Sequence, residues 1–195
     1  MTENDPPFVE QDYVLWSTED SAPHNDLKDL HALQTELNKE SDRGAALIAC
    51  SYIDDLMQQL LYAYLIEGGG SRKVVEALVA GFSAPLGTLS TRNAMAYALG
   101  LIAEKEFRDY EIMRRVRNKF AHAVHVSFES QEVIDLCANL SIKPFQYDPA
   151  QQKSSPAKLS PRAIYTITAL DFILGFKQRL AAATQKRQRA ENTSS

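Results

Sequence analysis

Arg117-Asn118-Lys119-Phe120-Ala121-His122 places an arginine and a histidine with four residues between them. Histidine exchanges protons near neutral pH, and arginine is a permanent cation suited to the charge that builds on a phosphate. Together they could cleave RNA by 2′-hydroxyl attack without a metal, with Asn118 orienting the phosphate or the imidazole. One such pair is a thin active site, so two copies facing each other across a dimer would be required. At about 100° per residue of helix, Arg114, Asn118 and His122 share a face, while Arg117 stands well over a quarter-turn away. The competing reading is structural: Arg117 pairs with Glu40, Asp42 or Asp54 and His122 hydrogen-bonds locally.

The elements that must position these groups read as helices. Phe107, Ile112, Val116 and Phe120 give the motif-bearing segment, Glu104 to about His125, its apolar side. Asn25-Asp26 caps a helix carrying Leu27, Leu30, Leu33 and Leu37. Ser41 to about Glu67 is the strongest pattern, with Ala45, Ala49, Tyr52, Ile53, Leu56, Leu60 and Tyr64 as its core stripe and Gly68-Gly69-Gly70 as its stop. Shorter helices are expected from Ser71 to about Ala80, Thr88 to Leu99 and Gln131 to Leu140. Ser160-Pro161 opens an apolar helix through Ile164, Ile167, Leu170, Ile173 and Phe176. No segment alternates like a strand. The boundaries are an acidic arm over 1–22, a helical domain over 23–141, a linker or loop over 142–160, an apolar helix over 161–184 and a disordered tail over 185–195.

Other constellations read less sharply. Asp54-Asp55 point about 100° apart on a helix, so they do not converge on one ion. Gly68-Gly69-Gly70 before Ser71-Arg72-Lys73 lacks the spacing of a phosphate loop. Gly81 to Arg92 is a Pro/Gly-bounded segment in which exposed Phe82 and Leu86 would form a contact surface, unless it is a fixed connection. The basic run from Lys177 to Arg189 is a solvated helix end or a nucleic-acid contact. His24, His31 and His125 form no ligand set, so no metal and no cofactor are expected.

A chain of 195 residues fits one domain, and a net charge of −4 argues against a whole-surface nucleic-acid binder. Cys50 and Cys137 sit in apolar helical contexts and read as buried reduced thiols. No leader pattern and no membrane-length apolar run are present, so a cytoplasmic protein is expected.

Four strings, in order, resemble the mannitol-repressor (MltR-like) family: Glu40-Ser41-Asp42-Arg43-Gly44-Ala45-Ala46, Phe82-Ser83-Ala84-Pro85-Leu86-Gly87-Thr88-Leu89-Ser90, Ala96-Tyr97-Ala98-Leu99-Gly100-Leu101-Ile102 and Val116 to His122. The likeness covers roughly Leu27 to Leu140 and leaves out the acidic arm and the apolar helix beyond it. It implies an all-α fold and a role in transcriptional regulation of carbohydrate use. The motif at 117–122 is also similar to the HEPN superfamily, whose active members cleave RNA across a dimer, often as toxins. That resemblance assigns Arg117 and His122 to the chemistry and Asn118 to the accompanying polar position. One toxin subfamily has tyrosine two residues after the histidine, where this chain has Val124.

The combined expectation is an all-α bundle of five to seven helices, homodimeric, acting as a regulator through another protein. Phe82, Leu86, Arg114, Asn118 and His122 are the candidate partner contacts. The rival is an endoribonuclease using Arg117, Asn118 and His122 on RNA. Direct DNA reading through the basic tail is the weaker rival, since no helix-turn-helix pattern is present.

Overall fold

The computed structural model describes residues 24–67, 69, 71–81, 83–142, 145–148, 153–156 and 159–193. Among them are seven helices: α1 (His24–Lys39), α2 (Asp42–Glu67), α3 (Arg72–Val79), α4 (Leu89–Ala98), α5 (Glu104–His122), α6 (Gln131–Ala138) and α7 (Pro161–Thr193). The protein is all-α in its body, as its helical periodicities require. The stretch expected to be a linker contains β1 (Phe145–Asp148) and β2 (Lys153–Pro156), an antiparallel pair with Phe145 opposite Pro156 and Asp148 opposite Lys153. This hairpin belongs to a unit separate from the helices. Its strands are four residues each and lack alternation long enough to register as a pattern. The acidic arm expected over 1–22 lies outside the described residues.

α7 is central. Every residue from Tyr165 to Leu170 is buried, as are Phe172, Ile173, Leu174 and Phe176. A helix apolar on all sides must be surrounded, and α7 packs on α1, α2, α5 and α6. It also continues to Thr193, past the expected end at 184. Against it lies α2, whose small residues Ala45, Ala46 and Ala49 are fully buried and allow close approach. The Tyr165 hydroxyl donates to the Ala46 carbonyl at 3.1 Å, so a buried phenol is satisfied where the two helices touch. Of the stripe expected on α2, Tyr52 is half-buried and Tyr64 is 42% exposed, because each stands at the margin of the packed face.

α5 buries Tyr110, Met113, Val116 and Phe120 at helical steps. The ring of Phe120 lies 4.9 Å from that of Phe128, which in turn lies 5.4 Å from Tyr165. Cys50 and Cys137 are free and buried, and desolvation pushes each thiol up to about 12.

α4 begins with a reciprocal cap. Thr91 N–H donates to the Thr88 hydroxyl at 3.2 Å, and Thr88 N–H donates to the Thr91 hydroxyl at 3.2 Å. It ends at Gly100, whose φ of +68° is the left-handed turn that glycine adopts without a Cβ clash. Arg92, 6% exposed, locks α4 in place by an ion pair with Asp54 of α2 and a 3.2 Å bond to the Val79 carbonyl at the end of α3. Asp54 thus pairs with Arg92 rather than Arg117.

Removing one partner of such a pair leaves a desolvated charge. Arg92→Ala is expected to lower stability by about 3 kcal/mol, read as a shift in the urea midpoint at constant slope. A loss below about 1 kcal/mol would place this pair with ordinary surface pairs.

Candidate functional site

The last turns of α5 carry the motif. His122 is exposed and closes the helix, and no hydrogen bond to its side chain occurs among the described residues. It lines an open groove of about 410 Å³ with Arg115, Asn118, Lys119 and Ala123. Residues 115, 118, 119 and 122 recur at steps of three and four, so helical geometry alone aligns them. Arg117 is not part of that lining. It is half-buried and donates from Nη1 to Asn118 Oδ1 at 3.2 Å. Its charge acts inward on the Cys50 thiol and the Tyr165 hydroxyl, opposing the burial that raises both. Asn118 is therefore the residue that meets both the arginine behind it and the groove in front.

Arg114, expected on the same face, is tied along the helix. It bonds Glu111 through Nη2 at 2.8 Å and Nε at 3.2 Å. Asn93 of α4, fully buried, donates to the same Glu111 at 3.1 Å and to the Phe107 carbonyl at 3.1 Å. Burial works to raise the Glu111 carboxyl, but the bonds from Arg114 and Asn93 outweigh it and hold the group below its usual range. Arg114 thus faces α4 as well as solvent. Arg115, which the spacing argument did not select, takes its place in the groove.

Lys119 is paired with Glu132 of α6. The carbonyls left open at the end of α5 are taken by Arg43 of α2, whose Nη2 donates to Ala123 O at 2.5 Å and to Val124 O at 3.2 Å. Beside it, Asp42 accepts from Phe128 N–H at 3.0 Å and from Arg162 Nη1 at 2.8 Å. Arg162 also donates to the carbonyls of Leu37 at 2.9 Å and Glu40 at 2.6 Å, closing the end of α1. Ser41 caps α2 through Gly44 N–H at 3.0 Å. The string Glu40 to Gly44 is thus a joint holding α1, α5 and α7, with Ser41 in the capping role its sequence suggests.

The remaining expected contacts separate. Leu86 is 7% exposed and its N–H bonds the Leu78 carbonyl at 2.9 Å, so it belongs to a fixed connection rather than a contact surface. Phe82 lies outside the described residues. Asp55 holds Gln59 at 2.8 Å, and Lys177, where the basic run begins, holds Asp29 at 3.3 Å. Arg92 and Asn93 went unrecognised, because a buried polar residue on a short helix looks in sequence like an exposed one. Among the described residues no three metal-ligating side chains gather, and no helix is long and apolar enough to cross a membrane.

The family model described as mannitol repressor matches residues 45–171. The chain belongs to the mannitol repressor family. The match begins just after the joint and runs into α7, whereas the resemblance carried by the four strings stopped near Leu140. A solved structure from Escherichia coli, the MtlR-HPr complex, contains a chain of similar fold. It is 19% identical with a TM-score of 0.54, and the alignment covers 75% of this chain and 97% of that one. Comparison with curated proteins gives no match.

The two motif residues should part company in stability. His122→Ala is expected to leave the thermal midpoint within about 1 °C, because an exposed, unbonded side chain holds nothing. Arg117→Ala is expected to cost about 1 kcal/mol through its lost bond and packing, measured by the same melt. Equal losses at both positions would contradict this division.

Proposed function

We propose that this mannitol repressor family protein regulates by gripping another protein with the end of α5, where Arg115, Asn118, Lys119 and His122 line the open groove. The observation that carries the reading is the orientation of His122: exposed, without a hydrogen bond among the described residues, and flanked by cations on one helical face. Side chains held outward on a rigid helix lose little freedom on docking, which favours a contact surface. The fold likeness to a protein solved in complex with HPr supports a protein rather than a nucleic acid as partner. Homodimerisation through this same face is the alternative use of the groove.

Metal-independent RNA cleavage needs the guanidinium and the imidazole on one phosphate. Here half-buried Arg117 donates to Asn118 and lies outside the groove lining, while His122 is exposed. That arrangement favours binding over cutting. No cofactor or metal enters the proposal.

Purified protein is expected to bind HPr in calorimetry and to leave single-stranded RNA intact. The double change Arg115→Glu with His122→Ala should weaken HPr binding at least about tenfold without altering the melt. Added salt should weaken the wild-type complex as well, since Arg115 lines the groove without an ion pair among the described residues. Unchanged affinity in the double variant would sink the assignment of this face. RNA cleavage abolished by His122→Ala would replace it with the nuclease reading.

A further inference from the structure

Val124 is 79% exposed, more than any other large apolar residue described, and it stands two residues past His122. Exposed valines are ordinary on mobile loops, but this one is held. Arg43 grips the carbonyls of Ala123 at 2.5 Å and Val124 at 3.2 Å, and the neighbouring Asp42 accepts the Phe128 amide at 3.0 Å. Phe128 itself is 2% exposed and packed between Phe120 and Tyr165. Two adjacent residues of α2 therefore pin both ends of the turn from 123 to 128. The turn contains no glycine and no proline to loosen it or stiffen it by other means. The outcome is an exposed aliphatic residue on a held backbone, next in sequence to Ala123, which lines the groove with Arg115 and Lys119.

We propose that Val124 is a contact residue of the partner-binding face and that Arg43 is its positioning residue, so that the face fits a protein surface offering an apolar hollow beside carboxylates. This rests on the protein-binding reading of the α5 groove and adds its apolar anchor. Interfaces concentrate affinity in a desolvated centre with a polar rim, and an anchor already fixed in place loses less freedom on docking. Cations beside the anchor select carboxylates on the partner, which charge complementarity requires. Val124 occupies the position where a toxin subfamily has tyrosine. Its side chain carries no proton to transfer, in keeping with contact rather than chemistry.

The test titrates HPr into the full chain and follows backbone amide exchange of the free protein. Val124→Ala should bind roughly five- to fifteenfold more weakly, the burial of two methyl-sized groups being lost. Its melt should match wild type, and Val74→Ala, at a site 57% exposed on α3, should bind normally. Arg43→Ala should weaken binding and speed exchange across 123–128, while Arg43→Lys, which keeps one cationic donor, should restore part of both. Wild-type affinity in Val124→Ala overturns the contact, even if the Arg115 and His122 variant is impaired. Unchanged exchange in Arg43→Ala overturns the positioning role. Failure of the wild-type chain to bind HPr would remove the protein-binding reading and the contact together, with the exchange data still deciding the clamp.

Discussion

Helix ends leave carbonyl groups without partners, and a bundle brings several such ends together. At the start of α2 this problem is met by one network of three residues: the adjacent Asp42 and Arg43 and, from α7, Arg162. The two guanidiniums take the carbonyls of Leu37, Glu40, Ala123 and Val124, while the carboxylate takes the Phe128 amide and one arginine. Each guanidinium reaches its two carbonyls from a single nitrogen, Nη2, and Arg162 gives its other terminal nitrogen to Asp42. The route of α1 into α2, the end of α5 and the entry of α7 are all defined at this joint. Ala123, held at this joint, also lines the groove.

The opposite end of the bundle is organised by a different buried pair. Arg92 and Asn93, adjacent on α4, reach in different directions, one to α2 and α3 and the other to α5. Asn93 sets Glu111, and Glu111 sets Arg114, so the position of α4 is passed along α5 toward the groove through hydrogen bonds. One end of α5 is thus fixed by an amide from α4 and the other by a guanidinium from α2.

Much of the fold was legible because helices announce themselves by periodicity and caps. The stripe of α2, the Thr88 start of α4, the Ser160-Pro161 opening of α7 and the family likeness all follow from local patterns. What local patterns do not carry is which polar residue points inward. Nothing local marks Arg92 and Asn93 as buried, decides between contact surface and fixed connection for Leu86, or says whether Arg117 joins His122 or packs inward. Each of these depends on what another helix places opposite, and only tertiary packing decides that. The hairpin at 145–156 was missed for a related reason, because four-residue strands give no periodicity to detect. Arg115 lies outside the motif, although its spacing to 118, 119 and 122 signals a shared helical face.

The burial of α7 from Tyr165 to Phe176, interrupted only at Asp171 and Gly175, has a consequence for how the chain acquires its shape. Tyr165 meets Ala46 across 119 positions of sequence, and Arg162 meets Leu37 across 125. Contacts so distant close slowly, since the intervening chain must first be drawn together. During synthesis α1, α2, α5 and α6 emerge before the helix they pack on, with the alanine face of α2 bare to water until α7 arrives. Such an interval invites chaperone capture or clumping. Clipping the chain before Pro161 would therefore remove the hub of the bundle, not an appendage.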